Sequence, residues 1–144
     1  MKHIAHWEGS KIIQLRSSRG GGDYVFAQDS QHDISMAIAQ GVYNNLKTIF
    51  ELVELGDDKV ALIASNGQYV RTKDGGGGGL ILDRSQIRSH ETFKLTKHQG
   101  GVSLQAHNGH YVRATNDNKL VVDSSHISKW VIFLLIDGAK IFES

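Results

Sequence analysis

The amino-acid sequence predicts an all-β architecture in which one unit of four short strands is written three times. The first observation is direct repetition. KVALIASNGQYVRT at residues 59–72 returns within GGVSLQAHNGHYVRA at residues 100–114, and a fainter copy, KIIQLRSSRGGGDYVFA, occupies residues 11–27. The second is spacing: Tyr69 and Tyr111 stand 42 residues apart and Phe93 and Phe133 stand 40 apart, and a period of that size with several short apolar runs per copy is the mark of a β array. The third is alternation. In Val60-Ala61-Leu62-Ile63-Ala64 and Val102-Ser103-Leu104-Gln105-Ala106 every second side chain can point to one core, as a half-buried strand requires.

Each unit opens with an apolar-x-Leu strand around Leu15, Leu62 and Leu104, followed by a glycine-bearing turn into Tyr24-Val25, Tyr69-Val70 and Tyr111-Val112. Asn66-Gly67 and Asn108-Gly109 mark two of these turns as tight hairpins, since both residues of such a pair accept positive φ. A third apolar run follows at residues 36–39, 80–82 and 120–122, and a Phe-x-Leu strand closes each unit at Phe50, Phe93 and Phe133. From Leu80 to Phe93 and from Leu120 to Phe133 the step is 13 in both cases, with Asp83 matching Asp123, so the register of the last two copies is secure. In the first copy residues 28–47 also carry a weak helical period; triplication outweighs it and a strand at 36–39 is expected. The glycine run at 75–79 is a surface turn rather than a phosphate loop, because neither a Gly-Lys-Ser/Thr ending nor a helix follows it. Asp57-Asp58 reads as a solvated turn, Trp130 as a residue closing the barrel at the start of the last strand, and the tail at 137–144 as a short closing segment.

A unit of about 40 residues cannot bury a core of its own, so the three copies must share one. The closed solution is a β-trefoil with pseudo-threefold symmetry and twelve short strands, six in a barrel and six in a hairpin cap. Residues 1–144 are then expected to form one domain, with repeats at about 11–55, 56–97 and 98–138. Closure also removes sheet edges on which other chains could pair.

Composition narrows the functional classes. Sixteen Lys and Arg against 15 Asp and Glu leave a formal charge of +1, which gives no whole-chain attraction to nucleic acid or an anionic membrane. Cysteine is absent, so no disulfide, thiolate nucleophile or cysteine-zinc site is available and a reducing, cytoplasmic setting suits the chain. No apolar run reaches signal-peptide or membrane-span length, and Lys2 leaves no glycine for N-myristoylation. No cofactor is expected. The eight histidines are numerous for this length, and histidine is the side chain whose charge changes nearest physiological pH.

The residues of VALIASNGQYVRT with ETFKL, and of GGVSLQAHNGHYVRA with WVIFLL, resemble the fascin-like β-trefoil family, which includes hisactophilin-like proteins. The resemblance is strong from Lys59 onward and weak before it. It implies a non-enzymatic binding module, with actin filaments as the best-known ligand of the family and carbohydrate binding or an accessory role in a larger protein as the alternative. The chain itself is expected to be a monomer. Neither Trp7 nor Trp130 stands in a Gln-x-Trp motif of the kind ricin-type lectins carry.

Candidate site residues follow from matched positions. Arg71 and Arg113 each follow Tyr-Val, and with Lys73, Arg84 and Arg88 they would form a basic patch suited to an acidic protein surface. His107, Asn108 and His110 stand on a hairpin tip; protonation there would add positive charge beside Arg113 and favour an acidic partner as pH falls. Two imidazoles at 107 and 110, or at 3 and 6, are two ligands of a metal site with no third in sequence, so no metal is expected. Asp83 and Asp123 read as repeated turn caps, no nucleophile and base stand in catalytic order, and an enzyme is not expected.

Overall fold

The computed structural model of the chain describes residues 11–18, 23–27, 34–37, 46–73, 79–82, 91–116 and 118–137. Among them lie twelve strands: β1 (Lys11–Ser17), β2 (Tyr24–Ala27), β3 (Ile34–Ala37), β4 (Phe50–Gly56), β5 (Lys59–Ala64), β6 (Val70–Thr72), β7 (Leu80–Leu82), β8 (Phe93–His98), β9 (Gly101–Gln105), β10 (Tyr111–Ala114), β11 (Leu120–Ser124) and β12 (Phe133–Asp137). Short 3-10 turns at Leu46–Thr48 and Lys129–Val131 lead into β4 and β12.

Antiparallel pairing runs β1 to β4, β4 to β5, β5 to β8, β8 to β9, β9 to β12 and back from β12 to β1, so six strands form a closed ring. The other six pair as hairpins β2–β3, β6–β7 and β10–β11. These hairpins leave the ring at equivalent places, through Arg16↔Tyr24, Ile63↔Tyr69 and Gln105↔Tyr111, and β3, β7 and β11 lie against one another. A six-stranded barrel capped by three hairpins is a β-trefoil, with the pseudo-threefold arrangement that the repeats require.

The repeated apolar positions meet at the axis. Leu15, Leu62 and Leu104, then Val25, Val70 and Val112, then Phe50, Phe93 and Phe133 are all buried in one cluster with Leu80 and Leu120. Each buried side chain of this kind contributes roughly 1.5–3 kcal/mol. A void of about 20 Å³ remains between them and is lined by apolar groups alone, which favours its staying dry.

Three details depart from the sequence expectation. The third strand of the first copy lies at Ile34–Ala37 rather than 36–39, because its pairing with β2 (Ala27↔Ile34 to Tyr24↔Ala37) sets the register, and the connection onward to β4 is longer than its counterparts. The Asn-Gly tips are not two-residue loops with paired positive φ. Ala64 N–H donates to Gln68 O at 2.8 Å and Gly67 N–H to Ala64 O at 2.9 Å, Ala106 and Gly109 repeat the pattern, and only the glycines (φ 86° and 88°) are left-handed. That is a type I turn finished by a left-handed glycine. Positive φ at both central residues occurs instead in the exposed Asp57-Asp58 turn (φ 53° and 63°), which joins β4 to β5. Trp130 sits half-buried in the 3-10 turn before β12, with Lys129 Nζ 5.6 Å from its ring centre, while the buried Phe133 takes the place in the shared core. Trp7, Asp83, residues 75–78 and residues 138–144 lie outside the described residues.

Candidate functional site

The sequence-predicted residues fall on two different hairpins. Arg71 lies in the middle of β6, paired with Ile81, half-buried, and donates from one guanidinium nitrogen to the Thr72 carbonyl at 3.2 Å. Lys73 follows at once and is exposed. Arg84 and Arg88 lie outside the described residues.

Arg113 stands on β10 in the third hairpin. Its Nε and one terminal nitrogen donate to the two carboxylate oxygens of Asp123 at 2.8 and 2.9 Å, a bidentate pair. Asp123 is therefore part of β11 and acts as the counter-ion of Arg113, not as a turn cap. The hydrogen bond from Arg113 holds the Asp123 carboxyl below its ordinary range, against the opposing effect of burial, and the same bond raises Arg113. An arginine held in this way presents little net charge to a partner.

The tip at 107–110 is built as the turn chemistry dictates. Asn108 Oδ1 accepts from the His110 N–H at 2.9 Å, as Asn66 Oδ1 accepts from Gln68 at the same distance, and Gln105 Nε2 donates to the Gly109 carbonyl at 2.8 Å. His107 and Asn108 are exposed; His110 is half-buried, with Nδ1 enclosed and lacking a hydrogen-bond partner.

A groove of about 530 Å³ begins at this tip and crosses the barrel flank, lined by His107, Gln105, Lys94, Thr92, Lys59 and Leu55. Its floor is a register row. Lys59 pairs with Lys94 between β5 and β8, Lys94 pairs with Gln105 between β8 and β9, and Gln105 pairs with Tyr111 on β10. Val60 and Phe93, one residue along, point to the core, so Lys59 and Lys94 point outward and both are exposed. Directly opposed side chains on neighbouring strands have Cβ atoms roughly 4.5–5.5 Å apart, and like charges there are destabilising. Among the described residues neither lysine has an acidic partner within ion-pair distance. Leu55, 39% exposed, adds an apolar contact at the far end.

The structure thus brings His107 together with Lys59 and Lys94, which the sequence reading did not select, and leaves Arg71 and Lys73 on a separate hairpin. The signal was available in principle: both lysines flank core positions, and a closed six-strand ring places β5 beside β8. Among the described residues no group of three or more His, Asp or Glu is gathered to hold a metal ion, and no helix is long and apolar enough to cross a membrane.

Residues 35–135 match the model of the FRG1-like domain, which spans most of the sequence. The chain belongs to the FRG1-like domain family. This is a β-trefoil family, in agreement with the ring and cap described above. Among solved structures the chain is similar to the designed 3-fold symmetric protein ThreeFoil, with a TM-score of 0.75 and 16% identity over 87% of this chain and 98% of that one. At such identity the likeness speaks for the fold alone. No curated protein sequence matches the chain.

Proposed function

We propose that this FRG1-like β-trefoil is a non-catalytic binding module that docks on an acidic protein surface through the groove of Lys59, Lys94 and His107. The observation that carries the reading is the Lys59↔Lys94 pair. A fold that sets two exposed lysines opposite each other, with no counter-ion among the described residues, keeps a local repulsion that an acidic partner would relieve. Leu55 and the half-buried Tyr111 at the ends of the row supply the apolar and aromatic contact that such interfaces favour.

A catalytic reading finds less support. His98 Nε2 lies 2.8 Å from Ser103 Oγ, the kind of contact from which a nucleophile is activated, but Ser103 is fully buried and no substrate carbonyl can approach it. Two of the aromatics offer little to a sugar: Tyr69 is buried and the Trp130 ring carries the Lys129 ammonium.

The actin filament, suggested by the fascin-like resemblance, is the first acidic surface to test. Co-sedimentation with filaments is expected for the native chain at low salt, reduced at high salt and lost in Lys94→Glu. Equal pelleting of native chain and variant would remove the groove as the docking face, and no pelleting of the native chain would remove actin.

A further inference from the structure

Among the described residues, the barrel is open at the end away from the hairpin cap. β1, β5 and β9 begin there, whereas the cap hairpins join their far ends. The opening holds a recess of about 560 Å³, within the range of ordinary ligand pockets. Its wall is apolar: Ile13, Leu52, Val60 and Val102 are buried, Leu95 is half-buried, and Leu135 at the lip is 39% exposed, as is Leu134 beside it. Lys59, Lys97, His98 and Asp58 stand around the rim, together with Lys11 and Glu54, which are 3.9 Å apart.

Two features point to one kind of occupant. Lys59 lines both this recess and the flank groove, so the two are continuous across a single side chain. Adjacent exposed leucines on the lip of an apolar recess are surface that an isolated soluble chain has little reason to keep uncovered. We propose that the barrel mouth is a socket for bulky apolar side chains of the same acidic partner, whose chain crosses Lys59 from the groove and inserts them between Leu95 and Leu135. The inference rests on the acidic-partner reading of the preceding subsection and adds the partner's motif: aliphatic or aromatic anchors flanked by Glu or Asp. Desolvated anchors in a pocket within a charged surround are the usual arrangement of an interface whose energy is concentrated in few residues. The recess is large enough to take more than one side chain, and Lys97 on its rim offers charge to acidic flanks on the far side from the groove.

Two short fluorescent peptides test this with the full chain: one of Glu and Gly only, and one of the same length with a Leu-Phe pair at its centre. The second is expected to bind about tenfold or more tightly than the first, equivalent to about 1.4 kcal/mol. Leu135→Ser should remove that gain and leave the Glu-Gly peptide unaffected, while Lys94→Glu should weaken both. Because Leu135 also borders the core, Lys97→Glu on the exposed rim provides a second variant, expected to reduce binding of the anchored peptide more than that of the plain one. Equal affinity of the two peptides, or a gain that survives Leu135→Ser, overturns the socket and leaves the groove standing. Failure of both peptides to bind overturns the groove and the socket together.

Discussion

Replacing Lys94 by Glu should make the fold slightly more stable and the protein unable to bind. Lys94 is the centre of the row on β5, β8 and β9, with Lys59 opposite on one side and the neutral Gln105 on the other, so the charge reversal converts one repulsive cross-strand pair into an attractive one and creates no new like-charge pair in the row. Both side chains are exposed, so solvent screens most of the change. An expected gain of about 0.5 kcal/mol corresponds to roughly 1–2 °C in Tm for a chain of this size. Thermal unfolding followed by circular dichroism reads this directly. The difference should be largest at about 0.01 M salt, where the Debye length is about 30 Å, and nearly vanish at about 1 M, where it is about 3 Å. Lys59→Glu with Lys94→Glu restores like charges and should return Tm to the native value. A Lys94→Glu variant that is less stable than native at low salt, or whose Tm difference ignores salt, would falsify the claim that these lysines oppose each other with no counter-ion among the described residues.

Two further outcomes follow from the structure. Gly101→Ala should be severe: at φ 147° an added Cβ would stand 2.3 Å from the Phe133 carbonyl oxygen, a backbone atom that cannot move without opening the β9–β12 pairing, and the cost should reach about 3 kcal/mol or a Tm loss of roughly 6–12 °C. Asp123→Asn should cost at most about 1 kcal/mol near neutral pH, because the Asp123 and Arg113 side chains are 43% and 35% exposed. The folded carboxyl of Asp123 is lowered, so its contribution is complete above the unfolded value of about 3.9 and disappears as pH falls through the lower folded one. Unfolding curves of native and variant should therefore converge in strong acid, and a gap that persists there would show that the ion pair is not its cause.

The fold was legible because its evidence is repeated. Leu62 and Leu104, Tyr69 and Tyr111, and Phe93 and Phe133 recur at nearly constant steps, and only a shared core satisfies three units that cannot fold alone. Boundaries were less legible where a copy has drifted: spacing back from Phe50 reaches Ala37, which ends β3, whereas Leu80 and Leu120 begin their strands. The dipeptide Asn-Gly announced a hairpin correctly but not its loop, since the extra loop residue lets asparagine keep negative φ and leaves the left-handed position to glycine.

The site was harder to read for a different reason. Arg113 looked like a free cation because its partner lies on the next strand, and matching Asp123 with Asp83 suggested a turn before the β10–β11 register placed it within reach. Lys59 and Lys94 stand near opposite ends of the second repeat, and no local pattern states that two residues 35 positions apart face each other. Only the closure of the ring puts β5 beside β8.

The most direct test of the docking face is a titration of isotope-labelled native chain with poly-glutamate, followed by backbone amide shifts. The groove predicts salt-sensitive changes concentrated at Lys59, Lys94, Gln105 and His107. Changes centred on Arg71 and Lys73, with the β5–β8 row silent, would contradict it.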